Sequence, residues 1–190
     1  MISSHLFKAF LECPTKCWLR AQNEPATGNL YAEWRRAQNE RYRKEWLERR
    51  VAIVAEADRV LSPTFEANPK EATWRFAVDM RVQANDLECR IPAVERARSE
   101  GCGRCVQFIP HRFEFSNKLT KQHKLMLAFD ALVLSHAIGR NRIARSIQRV
   151  SEHRLTEASV GPEATTALKA TANLWSIFRR RPYRLAARAL

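Results

Sequence analysis

Between Trp74 and Ile91 the hydrophobic repeat of the chain falls to two residues, and no other feature restricts the fold as tightly. In TWRFAVDMRVQA, Trp74, Phe76, Val78, Met80 and Val82 alternate with Arg75, Ala77, Asp79 and Arg81. Side chains on a strand point to opposite faces in turn, so this pattern predicts a strand with one buried face. Asn85 and Asp86 are turn residues. Beyond them Leu87, Cys89 and Ile91 alternate with Glu88 and Arg90, and the two runs predict a β-hairpin. CVQFIPHRFEF predicts a third extended run. Pro110 within it has no N–H to give to a ladder, which favours a bulge or a sheet edge there.

The flanking segments carry the helical period. Ser3 or Ser4 can cap a first helix whose Leu6, Phe7, Phe10 and Leu11 share one face, with Cys13, Pro14 and Cys17 further along it. After the break at Pro25 and Gly28, a long charged helix is predicted from Leu30 to Leu61, with Trp34, Tyr42 and Trp46 in approximate register. A third helix spans Lys121 to Ile138 and is stopped by Gly139. A weak strand near Arg142 to Val150 and a last helix from Glu163 to Phe178 follow. This order predicts a mixed α/β fold, a small central sheet flanked by helices. One domain is expected: residues 1–62 form a helical N-terminal part, 71–150 the sheet core, and 163–190 a C-terminal helix with a basic tail. With 190 residues, 45% of them hydrophobic and only five Gly, the chain can bury a core and does not read as disordered.

No apolar run approaches the roughly 20 residues of a membrane span, and no signal segment is visible, so a cytoplasmic protein without membrane contact is expected. The five cysteines then read as free thiols or metal ligands rather than disulfides. The formal net charge of +13 favours polyanionic partners, because neutralising phosphates releases their counterions. The charge is concentrated. Arg140, Arg142, Arg145, Arg149 and Arg154 face Glu152 alone, and the tail from Arg179, Arg180 and Arg181 onward has five arginines and no acid. A nucleic-acid contact, a solvated basic face and an acidic protein partner all fit this pattern.

Four stretches carry a family resemblance: ISSHLFKAFLECPTKCWLR, AQNERYRKEW, NDLECRIPAVER and NKLTKQHKLMLAFDALVLSHAIGR. Together they resemble the RecB-like nucleases of the PD-(D/E)XK superfamily, whose relatives include CRISPR-associated iron–sulfur exonucleases. The resemblance covers nearly the whole chain. It implies a restriction-endonuclease-like core with an N-terminal helical pair, and Mg²⁺- or Mn²⁺-dependent hydrolysis of DNA, single-stranded or at ends. A helicase-type or other protein partner also follows from it. In that chemistry carboxylates grip a hard cation that activates the attacking water.

On this chain Glu40 matches the helical acid, Asp86 the strand-opening acid, and Gln107 the acid position of E-x-K, with Ile109 where the lysine belongs. Sliding the register to Glu114 also finds no lysine. Each residue has a plainer reading: Glu40 as a surface partner of Lys44, Asp86 as a turn residue. An incomplete set leaves a non-catalytic, nucleic-acid- or partner-binding descendant as the alternative. Cys13 matches the N-terminal cysteine of the cluster-bearing relatives. No cysteine follows Cys105, so this chain is not expected to complete a 4Fe–4S cluster. Independently of the resemblance, Cys13, Cys17, Cys102 and Cys105 have zinc-like spacing, or are simply packed and exposed thiols. Asp130 reads as a buried helix acid with a partner or as a residue facing the basic groove. His5, His111, His123, His136 and His153 share no metal spacing.

Overall fold

The computed structural model describes residues 1–24, 28–65, 73–98, 106–116, 118–138, 146–151 and 154–159. It is a mixed α/β fold in which helices cover both faces of one sheet.

The predicted first helix is two helices, α1 (Ser4–Glu12) and α2 (Pro14–Ala21). Proline clashes with a helical residue before it, and Cys13 is accordingly extended at φ −165° and ψ 125°. Pro14 then opens α2, where its missing N–H costs nothing. The Ser3 hydroxyl accepts the N–H of Leu6 at the start of α1.

The long charged helix, α3, spans Leu30–Ile53 and not Leu30 to Leu61. It ends in the β-branched stretch around Val51, Ile53 and Val54, and Arg59–Leu61 instead forms β2, paired in parallel with Phe76–Val78. Ladder hydrogen bonds to the sheet override the helical pattern that continued in sequence. The helix at Lys121–Ile138, α4, has the bounds expected of it.

β1 (Ile2–Ser3) runs parallel to Leu87–Glu88, and β3 (Thr64–Phe65) parallel to Arg81–Val82. The hairpin consists of β4 (Phe76–Ala84) and β5 (Leu87–Arg98), with Asn85 and Asp86 both at positive φ in its turn. β6 (Val106–Phe115) pairs antiparallel with β5. β7 (Ser146–Ser151) joins β6 in parallel after the α4 crossover, and β8 (Arg154–Ser159), which the sequence pattern did not announce, returns antiparallel to β7. The order across the sheet is β2-β4-β5-β6-β7-β8. Pro110 pairs with Val94 of β5, and among the described residues β7 begins pairing with β6 at the next residue, His111.

The expected single buried face of β4 is corrected. Phe76 and Val78 pack beneath α3 with Ala93 and Phe113, whereas Met80 and Val82 pack on the opposite face with Cys89, Ile91 and α4. The alternation slips on both strands at the same level, since Ile91 and Ala93 also part company. Register is kept across the slip: Val78 faces Ala93 and Met80 faces Ile91. Between them Asp79 takes φ 60°, a left-handed conformation rarely adopted within a strand, opposite Pro92, which cannot donate to the ladder.

The main core lies between the sheet and α4. Leu125 to Ala131, Val133 and Leu134 are buried, and Phe129 stacks on Phe7 of α1 with centroids 4.5 Å apart. α3 covers the other face through Tyr42, Trp46, Leu47, Val51 and Val54, and Asn39 Oδ1 accepts the Phe115 N–H at 2.5 Å, strapping α3 to the end of β6. Among the described residues, no helix is long and apolar enough to cross a membrane. The helix predicted at Glu163 to Phe178 and the tail beyond it lie outside the described residues.

Candidate functional site

Three carboxylates, Asp79 and Glu95 on the sheet and Asp130 on α4, are each held by an arginine. On the α3 side, Asp79 accepts from Arg90 Nε at 2.6 Å and from a second Arg90 nitrogen, with Arg43 Nη2 3.5 Å away. Hydrogen bonding from Arg90 holds the Asp79 carboxyl below its usual value against the opposing effect of burial; the fields of Arg43 and Arg81 add to the lowering. Next along the sheet, Glu95 accepts from Arg50 Nη2 at 2.9 Å, and its Oε2 lies 3.6 Å from Nε2 of the buried His111. That separation is an ion-pair distance rather than a hydrogen bond, and neither ring nitrogen of His111 has a hydrogen-bond partner among the described residues. The nearby imidazole and the Arg50 guanidinium bring Glu95 down to about 2. On the α4 side, Asp130 is fully buried and docks side-on with Arg112, one contact measuring 2.8 Å and the second shorter. Burial pushes the Asp130 carboxyl up while Arg112 opposes it.

Glu95 makes stability depend on pH. Its folded value of about 2 lies below the usual 4.5, so its contribution is complete above 4.5 and is lost as pH falls from there toward 2. Allowing for partial exposure, roughly 2 kcal/mol should disappear over that window. Glu95→Gln should flatten the urea midpoint against pH there; an unchanged pH profile would contradict the pairing.

The three positions of the family pattern, two acids and Gln107, fall on three separate elements: α3, the hairpin turn and β6. Glu40 is exposed on α3, where Arg43 Nη1 reaches both its oxygens at 3.2 Å, and Lys44 turns instead to Glu48 at 4.0 Å. The expected partner at i+4 is thus replaced by one at i+3. The Arg90 guanidinium, held mainly by Asp79, also feels the charge of Glu40. Asp86 is exposed at the hairpin tip, four residues along β5 from Arg90, or about 13 Å of strand. There its carbonyl accepts the Ile2 N–H at 2.7 Å, and the neighbouring Asn85 amide meets His136 Nδ1 at 3.1 Å. Gln107 lies on β6 opposite Ala97. Glu40 is thus held by Arg43 on α3, Asp86 stands in the hairpin turn, and the Gln107 position is on β6. Among the described residues no group of three or more His, Cys, Asp or Glu is placed to hold a metal.

Cys102 and Cys105 of the zinc-like set, and Arg140, Arg142, Arg145, Arg179, Arg180 and Arg181 of the basic segments, lie outside the described residues; Arg149 is on β7 opposite Thr156. Of the first pair of cysteines, Cys17 is buried and its thiol donates to the Leu6 carbonyl at 3.3 Å, which ties α2 to α1. Cys13 is exposed at the start of α2, and the backbone N–H groups of Lys16 and Thr15 lower its thiol value, whereas burial raises Cys17 and Cys89. In the folded protein iodoacetamide should therefore label Cys13 at least about tenfold faster than Cys17 or Cys89, read by peptide mass mapping. Equal rates would mean that α2 does not hold its position on α1.

Asp79, Glu95 and Arg112 were not singled out by motif. Pro92 opposite Asp79, and the apolar run Ile91, Ala93 and Val94 that breaks strict alternation, were the available signals.

No family model matches the sequence, and no curated protein matches it. Among solved structures, one partial match is to a structure described as the crystal structure of SSO0001, at 11% identity and a TM-score of 0.34. The match covers 55% of this chain and 51% of that one, so it spans about half the length of that protein.

Proposed function

We propose that the chain is a nucleic-acid-binding domain built on a RecB-like, PD-(D/E)XK-type fold, a descendant that engages single strands or ends without hydrolysing them. The observation that supports this reading is that three of the inward acids are neutralised by arginine. Asp79, Glu95 and Asp130 are each engaged by a guanidinium, and Glu40 is tied to Arg43. Gripping a divalent ion there would require expelling an arginine from a carboxylate, whereas binding a phosphate backbone requires only positive charge. The chain carries +13 overall. Within α3, Arg36, Lys44 and Arg49 are exposed, and Arg81 and Arg90 are exposed on the part of the hairpin beyond the Asp79 slip. A helicase-type or other protein partner belongs to the same reading, as the source of strand separation.

The test is the salt dependence of binding to a fluorescent oligo(dT). For single strands the logarithmic slope is about −0.7 per neutralised phosphate, so binding should weaken steeply between about 50 and about 200 mM salt. Arg142→Gln with Arg145→Gln should lower the slope by about 0.7 for each arginine in contact. Absence of binding at low salt would end this reading.

A further inference from the structure

α3 begins with a large apolar surface left in water. Leu30 is 86% exposed, Tyr31 65% and Trp34 49%. Burying an aromatic side chain ordinarily stabilises a fold, and an exposed cluster of this kind marks a contact surface more often than a packing fault. These rings are also arranged. Tyr31 and Trp34 lie one helical turn apart with centroids 5.9 Å apart and planes 22° from parallel. Behind them Trp34 meets Phe115 edge-on, at 5.8 Å and 84°. The indole is thereby propped against the end of β6, close to where Asn39 straps the helix to the sheet. The two near-parallel faces are pre-ordered, so a planar ligand would not have to organise them on binding.

The surrounding charge is positive. Arg35 and Arg36 follow Trp34 directly, Arg36 being exposed, and α3 as a whole carries seven Arg or Lys against four Glu. Two parallel aromatic faces beside arginines match the chemistry of an unpaired base and its phosphates: every base offers a π-face, and the backbone supplies the anions. A duplex, whose bases are stacked inward, cannot use the rings.

We propose that Tyr31 and Trp34, flanked by Arg35 and Arg36, form a base-stacking platform for single-stranded nucleic acid. This rests on the nucleic-acid-binding reading above and adds to it the element that distinguishes strands from duplexes.

The experiment compares the affinities of the full chain for oligo(dT), oligo(U) and a duplex of equal length across about 50 to about 200 mM salt. Tyr31 touches only the indole among the recorded ring contacts, so Tyr31→Ala leaves the fold intact, which circular dichroism verifies. That variant should weaken single-strand binding about tenfold, with an unchanged salt slope and duplex binding within about twofold of the original. Tyr31→Phe, which keeps the ring, should bind as the original does. Trp34→Ala should repeat the loss and Trp34→Phe should reverse most of it. The oligo(dT) and oligo(U) arms show whether DNA, RNA or both are held.

Equal loss for single strands and duplex, or no loss at all, overturns the platform while the binding reading stands. A gain in affinity on Tyr31→Ala would mean that another part of this chain competes for the rings, and a concentration-dependent dimer abolished by Trp34→Ala would mean that a second copy covers them; either overturns the proposal. If the original chain binds no nucleic acid, both the platform and the broader reading fall together.

Discussion

Replacing Arg112 with Met should cost about 3–5 kcal/mol of folding stability, which for a marginally stable domain is most of the margin. The reason is Asp130, which has no solvent exposure and whose two oxygens both meet the Arg112 guanidinium. With the arginine gone, the carboxylate must be buried unpaired or take up a proton in a pocket that offers it no equivalent donor. The Cys89 thiol nearby is itself raised by burial and by Asp130, so it stays neutral and adds no second negative charge. Arg112→Met combined with Asp130→Leu should recover most of the loss, because a buried ion pair replaced by apolar groups of similar volume is often neutral or stabilising. Urea unfolding of the two single variants and the double variant reads this coupling. Additive losses would show that the pair is not a unit.

Phe129→Ala should cost about 3–5 kcal/mol as well, by a different route. Phe129 is fully buried in the middle of α4 and stacks on Phe7 of α1. Deleting the ring removes its transfer energy and leaves a cavity that cannot collapse easily, since α4 is pinned to the sheet on one side and α1 rests on the other. The N-terminal segment should be affected first. β1 adds only Ile2 and Ser3 to the sheet, and α1 depends on the Phe7 contact to stay docked. Thermal unfolding should show the loss, and proteolysis should cut near α1 before it cuts the hairpin. An equally protected N-terminus would mean that α1 is anchored elsewhere.

These two residues also mark how far the sequence could be read. α4 was legible to its ends because its apolar residues run on all sides and its neighbours are polar. The hairpin was legible because turn residues separate two alternating runs. What alternation concealed was the change of face at Asp79: the residues on either side are all apolar, and only a left-handed Asp opposite a proline tells which go to which helix. The end of α3 was concealed too, because Val51 to Leu61 suits helix or strand equally and pairing with β4 decides the matter. For the site, type and spacing made Glu40 and Asp86 stand out, but spacing is silent about depth. One proved a surface partner of Arg43 and the other the tip of the hairpin. The arginines that neutralise the inward acids come from distant segments, Arg50 reaching Glu95 and Arg43 reaching Asp79, so no local motif records them.

The most direct measurement is an incubation of the full chain, at a concentration that binds all of it, with a labelled single-stranded oligonucleotide and Mn²⁺. Bound and intact oligonucleotide is the predicted result. Mn²⁺-dependent shortening that Glu40→Ala or Asp86→Ala abolishes would contradict the account, since it would give those carboxylates the hydrolytic role that the account denies them.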